Sequence, residues 1–224
     1  MCYNFNIENN AHLLNNIAKA EVLVRVLNVT DPNLKNCIAE YTNSQNAIDY
    51  IDLKSLRKEQ IDLETMFADE NILYTRKKGL TDLTLDNARF QIGIQRLGQI
   101  LMSTVRKRPE ESSNKKREIF STYYDELFTN NENLISKELV NTVETYHGLK
   151  SEYRRCNRQY TEQKAMYILY MLKEKPNYTV QQAIEILDRR IEAYRTDHDL
   201  DVALSRILIR SSFRTELEQY MHDN

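Results

Sequence analysis

Residues 139–170 read LVNTVETYHGLKSEYRRCNRQYTEQKAMYILY, and this stretch decides the fold class. Leu139, Tyr146, Tyr153, Tyr160 and Tyr167 recur every seven residues, with Thr142, Leu149, Cys156, Gln163 and Tyr170 at companion positions. That period holds both sets on one side of an α-helix, as in a coiled-coil seam. The helical pattern starts at Leu134, and a single helix of about 38 residues over 134–172 would extend about 57 Å at 1.5 Å per residue. A break near Thr161 would instead give two helices.

Helical spacing continues on either side. Lys175-Pro176-Asn177 ends the heptad segment, and Thr179 followed by Gln182 is a capping box opening a helix with Ala183, Ile184, Leu187, Ile191 and Tyr194. A last helix is expected from about Asp199, with Leu204, Leu208, Phe213 and Leu217 inward. Upstream, Ile119, Phe120, Tyr123, Tyr124, Leu127 and Phe128 mark a helix over 118–128. In the N-terminal half, Leu13, Ile17, Ala20, Val24 and Leu27 mark a helix over 10–29, and Asp31-Pro32 opens a short second one. A third carries Ile48, Ile51, Leu63 and Met66, with a break near Asp52. Asp69 is expected to cap a short fourth helix that ends at the cations before Gly79. A fifth covers 84–105 and encloses Gly93 and Gly98, where close helix–helix approach would offset the propensity lost.

Composition agrees. The 224 residues include only 4 Gly and 3 Pro, too few for the turns and bulges of a sandwich, barrel or doubly wound sheet. The sequence therefore predicts an all-α multi-helix bundle of about nine helices. Its C-terminal half is built on a long heptad-patterned helix or helical hairpin. Mean hydropathy of −0.64 and the lack of any apolar run of about 20 residues exclude a membrane-spanning protein. The first residues show no secretory signal, and three scattered cysteines, Cys2, Cys37 and Cys156, suit a reducing interior. An intracellular location, cytoplasmic or nuclear, is expected.

Net charge is −2, unevenly spread. Residues 106–117 carry six cations, Arg106, Lys107, Arg108, Lys115, Lys116 and Arg117, against Glu110 and Glu111, and no apolar side chain but Pro109. This segment reads as a basic linker between an N-terminal lobe, 1–105, and a C-terminal lobe, 118–224. It is the strongest electrostatic signal in the chain, and it suits a phosphate-binding arm, an import address or a plain spacer.

Enzyme chemistry finds little support. With glycines at Gly79, Gly93, Gly98 and Gly148, neither Gly-x-Gly-x-x-Gly nor the P-loop pattern can be written, and no Cys-x-x-Cys or His-Glu-x-x-His motif occurs. His198-Asp199, with His147, matches part of the ligand set of helical metal phosphohydrolases, but a helix start capped by Asp197 or Asp199 explains it more simply. Cys156 reads as a small buried residue rather than a nucleophile. No catalytic residue, metal, cofactor or small-molecule substrate is therefore expected.

Two binding readings remain. Tyr146, Tyr153, Tyr160 and Tyr167 offer an aromatic helix surface to a protein partner or a second copy of the chain. This makes a non-enzymatic scaffold or assembly subunit the leading expectation. The alternative is a nucleic-acid-associated factor using the 106–117 arm and a second face made by Lys150, Arg154, Arg155 and Arg158. Ion pairs with Glu144, Glu152 and Glu162 would reduce that face to a solvated one. The two helices around Lys175-Pro176-Asn177 also have a helix-turn-helix outline, exposing Gln181, Gln182, Asp188, Arg189 and Arg190.

Overall fold

The computed structural model describes Thr30, Asp31, Leu34 and residues 50–77 and 87–223. Contacts divide the chain into Met1–Ile38 and Ala39–Asn224. The helix expected over 10–29 and nearly all of the next one lie outside the described residues. In the second unit the described chain is mostly helical, as its composition requires. Its helices are α1 (Tyr50–Lys54), α2 (Lys58–Asp69), α3 (Ile94–Thr104), α4 (Lys116–Ser121), α5 (Lys137–Arg155), α6 (Glu162–Glu174), α7 (Val180–Asp197), α8 (Leu204–Leu208) and α9 (Ser211–Asp223). A π-helical turn covers Asp125–Thr129.

Two helices are buried on nearly all sides and organise the rest. In α3 every residue from Leu97 to Thr104 is buried, and in α6 every residue from Lys164 to Met171. They pack on each other, α3 also against α4, and α6 also against α5, α7 and α8. Gly98 is where α3 meets α4. A Cβ there would stand 2.7 Å from Ile119 Cγ2 and 3.0 Å from Phe120 Cζ, so only glycine permits this approach.

Two short strands were not expected. β1 (Ile72–Thr75) and β2 (Phe90–Gly93) pair in parallel, with Ile72 opposite Phe90 and Thr75 opposite Gly93. The helix read after Asp69 is therefore a strand, and the helix read over 84–105 begins only at Ile94. Gly93 is its N-cap rather than an interior residue. Short apolar runs such as Ile72-Leu-Tyr-Thr suit either period, and pairing with a distant segment settles the choice. A buried chain of hydrogen bonds fastens this corner: Tyr74 Oη donates to Gln60 Oε1 (2.5 Å), and Gln60 Nε2 donates to Tyr124 Oη (3.0 Å).

Other boundaries shift. The third helix breaks at residues 55–57, where the Ser55 hydroxyl donates to the Asp52 carbonyl at 2.7 Å. Residues 118–128 divide between α4 and the π-turn. The heptad segment is two helices, because Thr161 caps α6 by accepting from the Lys164 amide. No 57 Å rod forms. The capping box at Thr179 and Gln182 is present with both of its bonds.

The basic segment 106–117 is built into the fold. Pro109, Glu110 and Ser112 are buried, and Gln99 of α3 donates to the Ser112 carbonyl at 2.8 Å. Glu110, 3% exposed, lies 3.2 Å from Arg214 of α9 and 3.3 Å from Arg108.

Scarce glycine raises the question of what ends the helices. Asn71, Lys107, Asn157 and Asp199 take the left-handed conformation, with φ of 56°, 57°, 53° and 48°. Three of the four are Asn or Asp, the side chains that tolerate it best. At the end of α7 the Asp199 amide donates to the Thr196 carbonyl and the Leu200 amide to that of Arg195. This Schellman pattern makes His198-Asp199 a helix stop, not the start that the sequence suggested.

Candidate nucleic-acid interface

The end of α5 uses the same device. Asn157, at φ 53°, lets its amide donate to the Arg154 carbonyl (3.1 Å) and the Arg158 amide to that of Tyr153 (2.9 Å). The chain thus turns sharply over 156–161 before Thr161 restarts a helix. Lys164, 6% exposed, pins the turn from beneath by donating Nζ to the Gln159 carbonyl at 3.1 Å. The same ammonium lies 2.7 Å from Asp188 of α7 and 5.7 Å from the centre of the Tyr153 ring.

Above this pin lies a concavity of about 420 Å³ lined by Lys150, Arg154, Asn157, Arg158, Gln159 and Tyr160. A second of about 400 Å³ is lined by Arg158, Tyr178, Gln182, Glu185, Ile186 and Arg189. Arg158 belongs to both. Lys150 and Arg154 are exposed and form no ion pair among the described residues. Arg158 is 3.9 Å from Asp188, a carboxylate already engaged by Lys164 at 2.7 Å. Three cations of the first concavity are therefore weakly compensated or uncompensated. Burial, and then Glu162, push the Tyr160 hydroxyl up to about 12.

The other expected site residues separate into groups. Tyr153 and Tyr167 are fully buried: Tyr167 Oη donates to the Leu208 carbonyl at 3.0 Å, and Tyr153 Oη has no hydrogen-bond partner. Tyr146 is half-buried and donates to Glu162 at 2.6 Å under Arg96. Tyr160 is half-buried, its ring edge-on to Tyr153 at 5.7 Å. The four tyrosines thus do not make an open aromatic face, because the heptad seam closes on the core of the same chain. Arg155, by contrast, is paired with Glu152 at 2.5 Å.

The basic segment is largely neutralised. Arg106 pairs with Glu126 and lies over the Tyr123 ring, Lys107 is 3.0 Å from Glu174, Arg108 is 3.3 Å from Glu110, and Lys115 is 2.9 Å from Glu111. Lys116 is exposed, and Arg117 covers the Tyr50 ring at 5.0 Å. None of the six lines the concavity at the α5–α6 turn.

In the helix-turn-helix outline, the first helix is the buried α6, and Asp188 is drawn to Lys164 rather than exposed. His147 stacks on Phe90 at 4.1 Å, while His198 stacks on Tyr194 at 4.2 Å and lies 3.3 Å from Glu216. Among the described residues no three potential metal ligands cluster, and no helix is long and apolar enough to cross a membrane.

Sequence reading missed Lys164 and Tyr178. Lys164 carries one usable signal, a lysine inside the apolar run that follows Thr161; nothing adjacent in sequence points to Tyr178.

Fold and site define a mostly helical protein with a basic concave face at a helix–helix turn. The chain belongs to the AIPR protein family, whose model matches residues 5–222. No curated protein and no solved structure matches it.

Proposed function

We propose that this chain is a non-catalytic binding protein whose ligand is nucleic acid, held by its phosphates at the α5–α6 turn. The observation that carries the reading is the group Lys150, Arg154 and Arg158 in one concavity, with no strong carboxylate partner. Surface cations left without partners are free to replace the counterions condensed on a phosphate chain. The protein-partner reading calls for an open tyrosine face, and the burial of Tyr153 and Tyr167 favours the alternative. The 106–117 segment contributes little, because four of its six cations already have carboxylates.

Fluorescence anisotropy with a labelled oligonucleotide tests this. Three phosphate contacts give log K falling with log salt at a slope of about −2 to −3. Arg154→Glu should weaken binding and reduce the slope magnitude by about one contact's worth, while Arg155→Ala should change little. Binding that is absent, or unchanged by Lys150→Glu and Arg154→Glu, refutes the proposal.

A further inference from the structure

We infer that the nucleic acid is a single strand laid across both concavities, with Arg158 between them and Tyr160 and Tyr178 as base-stacking platforms. The inference rests on the proposed function and narrows it to one ligand class. Three features carry it.

The two concavities are neighbours, since Arg158 forms a wall of each. Together they present Lys150, Arg154, Arg158 and Arg189 against one lining carboxylate, Glu185. Arg189 forms no ion pair among the described residues, and its guanidinium donates to Tyr220 Oη at 3.3 Å. The positive surface is therefore a path rather than a point, as a phosphate chain requires.

Each concavity also holds one tyrosine and at least one side-chain amide: Tyr160 with Asn157 and Gln159, and Tyr178 with Gln182. Aromatic rings take the faces of unstacked bases, and amides take their hydrogen-bonding edges. A row of surface cations alone would serve any polyanion. Tyr160 and Tyr178 pack in part against the core and Gln182 also serves the capping box, but what these side chains leave open among those cations suits bases that leave the stack.

Shape gives the third argument. A duplex offers protein a convex cylinder with its bases stacked inside, and proteins read it by inserting a protruding helix or ribbon into a groove. Hollows of about 420 and 400 Å³ insert nothing into a groove and so do not reach stacked bases, whereas a splayed nucleotide suits them.

The test compares a short oligothymidylate, a mixed-sequence duplex of equal length and thymidine monophosphate, each titrated against the full chain. The single strand should bind at least about tenfold tighter than either of the others. Tyr178→Ala should weaken single-strand binding about 5- to 150-fold with no change in salt slope, and Tyr178→Phe should restore it. Tyr160→Phe should likewise bind as the parent does, which avoids cutting away a ring that packs on Tyr153. Equal affinity for strand and duplex, or a Tyr178→Ala variant that binds as the parent does, overturns the inference. If Arg154→Glu still weakens both ligands in that case, the phosphate-binding proposal stands without it. If no oligonucleotide binds, both fail together. A monophosphate that binds as tightly as the strand overturns the path.

Discussion

Replacing Gly98 by alanine sets two opposite effects against each other at one methyl group. Alanine inside a helix is favoured over glycine by about 1 kcal/mol, so propensity alone predicts a more stable protein. The new Cβ, however, would lie 2.7 Å from Ile119 Cγ2 and 3.0 Å from Phe120 Cζ. Both neighbours are fully buried, and neither atom is the loose end of a flexible chain. Overpacking of a close-packed core costs about 1–3 kcal/mol, and a clash with two rigid neighbours belongs at the upper end. The clash outweighs the propensity gain and leaves a net loss of about 2 kcal/mol, or roughly 4–8 °C in Tm for a chain of this size. Gly148, inside α5, is the control, because nothing lies within 4 Å of its added Cβ. Gly148→Ala should gain about 1 kcal/mol and raise Tm by roughly 2–4 °C. Urea midpoints at unchanged m-value measure both variants. If the two move stability in the same direction, the α3–α4 contact at Gly98 is not as tight as described.

Two further outcomes follow from the buried charges. Lys164→Met strands Asp188, whose side chain is 12% exposed, and should cost about 3 kcal/mol; the double variant Lys164→Met with Asp188→Leu should recover most of that loss in urea unfolding, and full additivity would refute the pairing. Glu110 is held above its ordinary value of 4.5, because burial outweighs its backbone hydrogen bond, Arg214 and Arg108. Between about 4.5 and the folded value the folded form holds more of this proton than the unfolded form, so the group's contribution to stability falls as pH rises across that window. Glu110→Gln should lack that slope, and a difference curve between variant and parent that stays flat with pH would refute the assignment.

Helical architecture was legible because it rests on local rules. Heptads from Leu139, the Thr179 capping box and the shortage of glycine all act over a few residues, where side-chain period and cap chemistry dominate. The strands at Ile72 and Phe90 were not legible, since a parallel pair between distant segments gains its hydrogen bonds only after the chain has folded back. The helix stops at Asn157 and Asp199 were equally hidden, because asparagine and aspartate are common in loops, in caps and on surfaces.

The candidate site divides in the same way. Sequence alone determined that the chain is mainly helical, that it has no phosphate loop, and that Lys150, Arg154 and Arg158 share a helical spacing of four. Tertiary structure decided which charges are free. Ion pairing joins residues far apart, such as Lys107 with Glu174 and Lys164 with Asp188, and cancels cations that look equivalent in the sequence. It likewise turned the tyrosine stripe inward. Burial depends on what the rest of the chain packs against a helix face, and no periodicity within the helix carries that information.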